Sequence, residues 1–134
     1  MKILLQSFLL LASLWLFAPA SFAQQAKPQI YQELQPQPFA QTLSRTKGIV
    51  LDVRTPEEYA EGHLSQARNV DYNNDHFRQA VSKLDKTKPY FVYCKAGVRS
   101  AKAADIMKEL GFKQVYTLEG GMDAWEDEGR KTVK

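Results

Sequence analysis

The stretch Tyr90-Phe91-Val92-Tyr93-Cys94-Lys95-Ala96-Gly97-Val98-Arg99-Ser100 decides how this chain is read. Its first four residues are aromatic or β-branched and predict a buried strand. A loop, Cys94 to Arg99, follows directly. Helical spacing then runs to about Leu110, with Ala101, Ala104, Met107 and Leu110 on one face. Gly111 stands where a left-handed helix end belongs. Strand, short loop and helix form one half of a parallel α/β unit.

Working outward, the same alternation repeats. Ile49-Val50-Leu51 is a second buried strand. Thr55-Pro56-Glu57-Glu58 is a capping box with proline in the first helical position, and Gly62 ends the helix that it starts. Arg68-Asn69-Val70 is a weak strand. Asp75 is placed to cap the next helix, in which Phe77, Ala80, Val81 and Leu84 recur at helical spacing. Ile30-Tyr31 is a short strand, and one or two helical turns over Phe39 to Leu43 lead to Gly48. Val115-Tyr116-Thr117-Leu118 is a strand, and Gly120-Gly121 turns the chain into a last short helix carrying Trp125, a core residue. The expectation is one α/β domain with a central, mostly parallel sheet flanked by helices on both faces. Such sheets bind ligands beyond the carboxyl ends of their strands. Cys94, the first residue past the strongest strand, lies there.

Composition agrees with one modest domain. The chain has 134 residues, 44% apolar and 25% charged, as in ordinary globular proteins. Its net charge of +3 comes largely from residues near the ends, so the basic balance is no nucleic-acid footprint. Arg130, Lys131 and Lys134 read as a solvated tail. The single cysteine excludes an internal disulfide and a cysteine zinc site. If it acts, it acts as a thiol.

Residues 1–23 read as a signal peptide. Lys2 gives a positive start, residues 8–18 are apolar but for Ser13, and Pro19 breaks the run. The run falls short of the roughly 20 residues a membrane span needs. Ser21-Phe22-Ala23 puts small residues at the two cleavage-site positions that require them. The mature domain is then 24–134, with 24–29 a flexible leader. The expected location is periplasmic or secreted, without membrane insertion after cleavage, and the expected state is a monomer.

The loop suits an ionised sulfur. A helix N-terminus carries unpaired N–H groups and partial positive charge. A loop curling around the sulfur aims further N–H groups at it, as in an anion nest. Gly97 permits the positive φ of such a curl, and Lys95 and Arg99 add cations. All of this lowers a thiol pKa.

With these residues in view, the chain resembles the rhodanese sulfurtransferases. Cys94-Lys95-Ala96-Gly97-Val98-Arg99-Ser100 is similar to their active loop. Asp52-Val53-Arg54-Thr55-Pro56-Glu57-Glu58-Tyr59 with Glu61-Gly62-His63-Leu64 resembles their first signature block, and Gly120-Gly121-Met122-Asp123-Ala124-Trp125 their last. The likeness spans roughly residues 30–129, and with the signal peptide it points to the periplasmic single-domain members. Family members commonly have Pro-Gly after the histidine block, where Ser65-Gln66 stands here.

The resemblance implies that the Cys94 thiolate takes sulfane sulfur from a small anionic donor such as thiosulfate. It would then pass that sulfur from a persulfide to cyanide or a thiol. Cys94 is the expected catalytic residue, and Lys95, Ala96, Gly97, Val98, Arg99 and Ser100 form the substrate-binding loop. Arg99 is expected to open to solvent and clamp the donor's oxyanion with its planar fork. No metal or organic cofactor is implied. Asp52 and Arg54 either brace the loop or form an end-of-strand ion pair with Glu58 or Glu61. His63 reads as structural, since an ionised nucleophile needs no general base. The rival readings are a cysteine phosphatase or arsenate reductase of the same fold, and a non-catalytic sulfur-carrier or binding module. The phosphatase pattern is Cys-x5-Arg. Cys94 to Arg99 is one residue shorter and fits one sulfur atom better than a phosphate.

Overall fold

The computed structural model describes residues 28–134. The expected signal peptide lies outside them, as do leader residues 24–27. Gln29 is tied down, its side-chain amide donating to the Phe112 carbonyl at 3.2 Å.

Ten elements alternate along the chain. They are β1 (Ile30–Leu34), α1 (Pro36–Thr46), β2 (Ile49–Asp52), α2 (Pro56–Glu61), β3 (Arg68–Asn69), α3 (Phe77–Ser82), β4 (Pro89–Tyr93), α4 (Val98–Glu109), β5 (Gln114–Leu118) and α5 (Gly121–Asp127). The five strands form one sheet in the order β1-β5-β4-β2-β3, and every pairing is parallel. Asp52 of β2 and Tyr93 of β4 are register partners, so both strands end level beneath the Cys94 loop.

Two apolar layers enclose the sheet. On one face Leu51, Tyr90, Val92 and Val115 pack with Phe77 and Val81 of α3 and Ala103 and Met107 of α4. On the other, Val50, Phe91, Tyr116 and Leu118 meet Phe39 of α1 and Met122 and Trp125 of α5. Phe39 stands edge-on to Phe91, with ring centroids 5.2 Å apart. Alternating side chains along buried strands feed both layers, which is why the strands read as nearly continuous apolar runs.

Local signals held at most boundaries. Thr55 and Glu58 form the full capping box, and Gly111 takes φ 90°. The turn at Ser65-Gln66 closes, with the Ala67 N–H donating to the Leu64 carbonyl at 3.0 Å. Gln66 meets the demand usually left to glycine by adopting φ 61°.

Four expectations change. α1 runs about three turns, Pro36–Thr46, where one or two over Phe39 to Leu43 were expected, because Pro36 suits the first helical position. The N-cap of α3 is His76 rather than Asp75, because the Asn74 side chain accepts from the His76 N–H and the Asn74 carbonyl from Phe77. The buried face of α4 is Ser100, Ala103, Ala104 and Met107, with Ala101 exposed, since Ser100 must face Cys94. The C-terminal tail is partly docked. Arg130 lies over the Trp125 ring at 5.1 Å, Lys131 accepts from the Trp125 indole, and Val133 bridges to His63.

Candidate active site

β4 delivers Cys94 to the end of the sheet, and the chain then curls around its sulfur into α4. Gly97, at φ 106°, is the N-cap of that helix. Its N–H lies 3.1 Å from Sγ and that of Ser100 3.4 Å. The Ser100 hydroxyl is 3.5 Å from the sulfur and 3.1 Å from the Gly97 carbonyl. Cys94 is only 1% exposed. Burial pushes its thiol up, but hydrogen bonding with the Ser100 side chain and with the backbone N–H groups of the loop outweighs it and holds the pKa below the ordinary value. The residue is thus a member of the apolar core whose sulfur still accepts backbone hydrogen bonds.

The last signature block forms the rear wall of this cradle. The Met122 N–H donates to the Cys94 carbonyl at 2.8 Å and the Asp123 N–H to the Lys95 carbonyl at 3.0 Å. Gly121, at φ 58°, lets the two segments meet: a Cβ there would stand 2.5 Å from both carbonyl oxygens. Sequence reasoning saw only a turn in Gly120-Gly121. Two positive-φ glycines at a helix start were the available signal for a close backbone approach.

Both loop cations are already paired. Arg99 grips Glu58 through two bonds of 2.8 and 2.9 Å, the two side chains being 22% and 27% exposed. Arg99 therefore meets a carboxylate of this chain where the sequence reading expected open solvent. Lys95 pairs with Asp123 at 2.8 Å, out in solvent. The Arg99 guanidinium pulls Glu58 down to about 2 against partial burial, helped by the Thr55 N–H and hydroxyl. Val98 turns outward and is 64% exposed.

Asp52 and Arg54 pair with each other, and not with Glu58 or Glu61. The Arg54 guanidinium donates to the Asp52 carboxylate, the shortest contact being 2.6 Å, and to the Gly62 carbonyl at 2.7 Å. The Tyr93 hydroxyl donates to Asp52 at 2.6 Å and accepts from the Leu64 N–H at 3.0 Å. Burial first, then this bond to Asp52, pushes the Tyr93 phenol up. The network fixes residues 62–64 against the ends of β2 and β4, and Tyr93 is a member that sequence reasoning missed. His63 stacks on Tyr59 at 3.8 Å with its Nδ1 3.0 Å from the Tyr59 carbonyl, a structural placement.

Comparison with known proteins fits this geometry. The model of the rhodanese-like domain family matches residues 35–128. The chain belongs to that family. Thiosulfate sulfurtransferase GlpE of Coxiella burnetii is 36% identical over 78 residues, which cover 58% of this chain and 71% of that enzyme. The tRNA uridine(34) hydroxylase of Pelagibacter ubique is 32% identical over 105 residues, 78% of this chain but 35% of that protein. An uncharacterised Bacillus subtilis protein, YqhL, is 34% identical over 79 residues, 59% of this chain and 61% of its own length. This rhodanese-like chain thus spans less than two thirds of two of these relatives. Among solved structures, a rhodanese-related protein from Thermoplasma volcanium superimposes with a TM-score of 0.68 at 29% identity, covering 77% of this chain and 98% of that one. The polysulfide-sulfur transferase homodimer of Wolinella succinogenes gives 0.64 at 30% identity, with 78% of each chain covered.

Proposed function

We propose that this rhodanese-like protein is a sulfurtransferase working through a persulfide on Cys94. The convergence of the Gly97 and Ser100 N–H groups on Sγ carries the reading. Donors spent on the sulfur itself stabilise a sulfur anion, and the loop gives its N–H groups to one atom rather than spreading them around a tetrahedral oxyanion. The Cys94 thiolate attacks the outer sulfur of thiosulfate or a polysulfide. A new S–S bond forms, the donor's S–S bond breaks, and sulfite or the shortened polysulfide leaves with the electron pair. A thiolate or cyanide then attacks the terminal sulfur, and Cys94 leaves as the same stabilised thiolate. The two half-reactions predict ping-pong kinetics.

The reading includes export, supported by Lys2, the apolar run at 8–18 and Ser21-Phe22-Ala23. N-terminal sequencing of exported material should begin at Gln24. The central experiment is intact-mass spectrometry after incubation with thiosulfate or inorganic polysulfide. A gain of one sulfur, lost on adding cyanide, is the expected result. No gain with either donor, together with phosphatase turnover, would replace sulfur transfer by the phosphatase reading.

A further inference from the structure

Within the loop, Arg99 alone carries a planar fork suited to an oxyanion, and the fold commits it to a carboxylate of this chain. Its guanidinium donates to Glu58 at 2.8 and 2.9 Å. Glu58 is anchored independently of Arg99, because its Oε2 also accepts from the Thr55 N–H at 2.9 Å and the Thr55 hydroxyl at 3.1 Å. Arg99 and Thr55 together hold its carboxyl down to about 2 against partial burial, so it stays ionised at neutral pH. A fixed carboxylate in the same molecule competes at high effective concentration with any oxyanion arriving from solution. The pair lies by the sulfur. Arg99 directly precedes Ser100, whose N–H is 3.4 Å from Sγ, and its guanidinium feels the Cys94 charge. Lys95, the other cation of the loop, is held by Asp123. We propose that Glu58 is a positioning residue that decides the sulfur donor: it fills the Arg99 fork as an internal substitute for an oxyanion group, and so favours unbranched sulfur chains over thiosulfate.

This rests on the sulfur-transfer reading and adds to it the donor class. With either donor, Sγ bonds to the outer sulfur, and the donor's S–S bond breaks with its electron pair going to the leaving group. From thiosulfate that group is sulfite. Its growing charge falls on oxygens borne by a sulfur about 4 Å from Sγ, two S–S bond lengths away. Stabilising that charge calls for donors aimed at the oxygens, whereas the Gly97 and Ser100 N–H groups point at Sγ. From a polysulfide the charge goes to a soft sulfur chain, which needs no such fork. A guanidinium free to bond the sulfite oxygens would speed loading from thiosulfate by about tenfold.

The test is single-turnover loading of Cys94, followed by intact mass, with thiosulfate and with inorganic polysulfide. The readout is the ratio of the two rates, since a loss of stability or a change in thiol ionisation moves both alike. Glu58→Gln keeps the capping box but gives Arg99 a neutral partner, so thiosulfate should gain about tenfold on polysulfide. Adding Arg99→Ala should restore the wild-type ratio. Arg99→Ala alone removes a guanidinium already engaged, so it should change both rates by one common factor. This single variant leaves Glu58 and its cap in place and tests the proposal even where Glu58→Gln folds poorly. Two results overturn the inference and leave sulfur transfer standing: a ratio within about twofold of wild type in Glu58→Gln, or a thiosulfate rate that falls about tenfold further than the polysulfide rate in Arg99→Ala. If the wild-type protein loads from neither donor, both fall.

Discussion

Replacing Gly121 by alanine should dismantle the cradle from behind. The residue sits at φ 58°, where an L side chain costs about 1–2 kcal/mol. Its new Cβ would lie 2.5 Å from the carbonyl oxygens of Cys94 and Lys95. Those atoms are backbone and cannot rotate away, so α5 and the loop must separate. Separation breaks the bonds from the Met122 and Asp123 N–H groups, at about 0.5–1.5 kcal/mol each. The total is about 2–5 kcal/mol, a large share of the 5–15 kcal/mol of a typical domain. A loop released from α5 also loses the alignment of the Gly97 and Ser100 N–H groups with the sulfur. Urea denaturation should show the stability loss, and a pH series of iodoacetamide alkylation should show the Cys94 midpoint moving up. Gly111→Ala is the control. Its φ is 90°, but nothing lies within 4 Å of the added carbon. It should lose only backbone strain, about 1–2 kcal/mol, with the thiol unchanged. A Gly121→Ala protein with stability within about 1 kcal/mol of wild type and the same alkylation midpoint would refute the role assigned to α5.

Three other outcomes follow from the geometry. Tyr93→Phe removes a charge-assisted bond to Asp52 and orphans the buried Leu64 N–H, so it should lower stability by about 2–4 kcal/mol in urea; a loss below about 1 kcal/mol would mean that the network is dispensable. Glu58 is held at about 2 against an ordinary 4.5. A depressed carboxyl stabilises the fold above its unfolded pKa, and that contribution vanishes as pH falls from about 4.5 through about 2. Its ceiling is about 3 kcal/mol, reduced by solvent at this partly exposed pair to about 1–2 kcal/mol. Denaturation from neutral to strongly acid pH should show this limb in wild type and lose it in Glu58→Gln, whose amide oxygen keeps the capping box. Cys94→Ser should fold normally and lose sulfur transfer by at least about a thousandfold, as covalent catalysis requires; a serine variant that fails to fold would mark Cys94 as a core residue alone.

Legibility followed sequence distance. The strand at 90–93, the capping box at Thr55 and the turn glycines are set by neighbours one to four residues apart, and their readings match the structure. The curl of the loop was also local, since Gly97 and the helix start supply its N–H groups. What lay hidden were partners brought together by the sheet. Arg99 and Glu58 are 41 residues apart, as are Tyr93 and Asp52. Nothing in either segment says that α2 comes to rest across the mouth of the loop. The face of α4 was misplaced by one position for a related reason. Apolar spacing favoured Ala101, but the helix is turned by what Ser100 does for the sulfur. Asp75 failed as a cap because the side chain of its neighbour Asn74 accepts the His76 N–H instead.

The strand order carries a consequence for the newborn chain. β5 lies between β1 and β4, so the strand near the start of the domain finds its only partner among the described residues near the end. The loop around Cys94 likewise acquires its rear wall only from Met122 and Asp123. As the polypeptide emerges, the cysteine therefore exists for some thirty residues of further synthesis as an unsupported thiol. The cradle is closed from behind only when the final turn docks, in whichever compartment the chain folds.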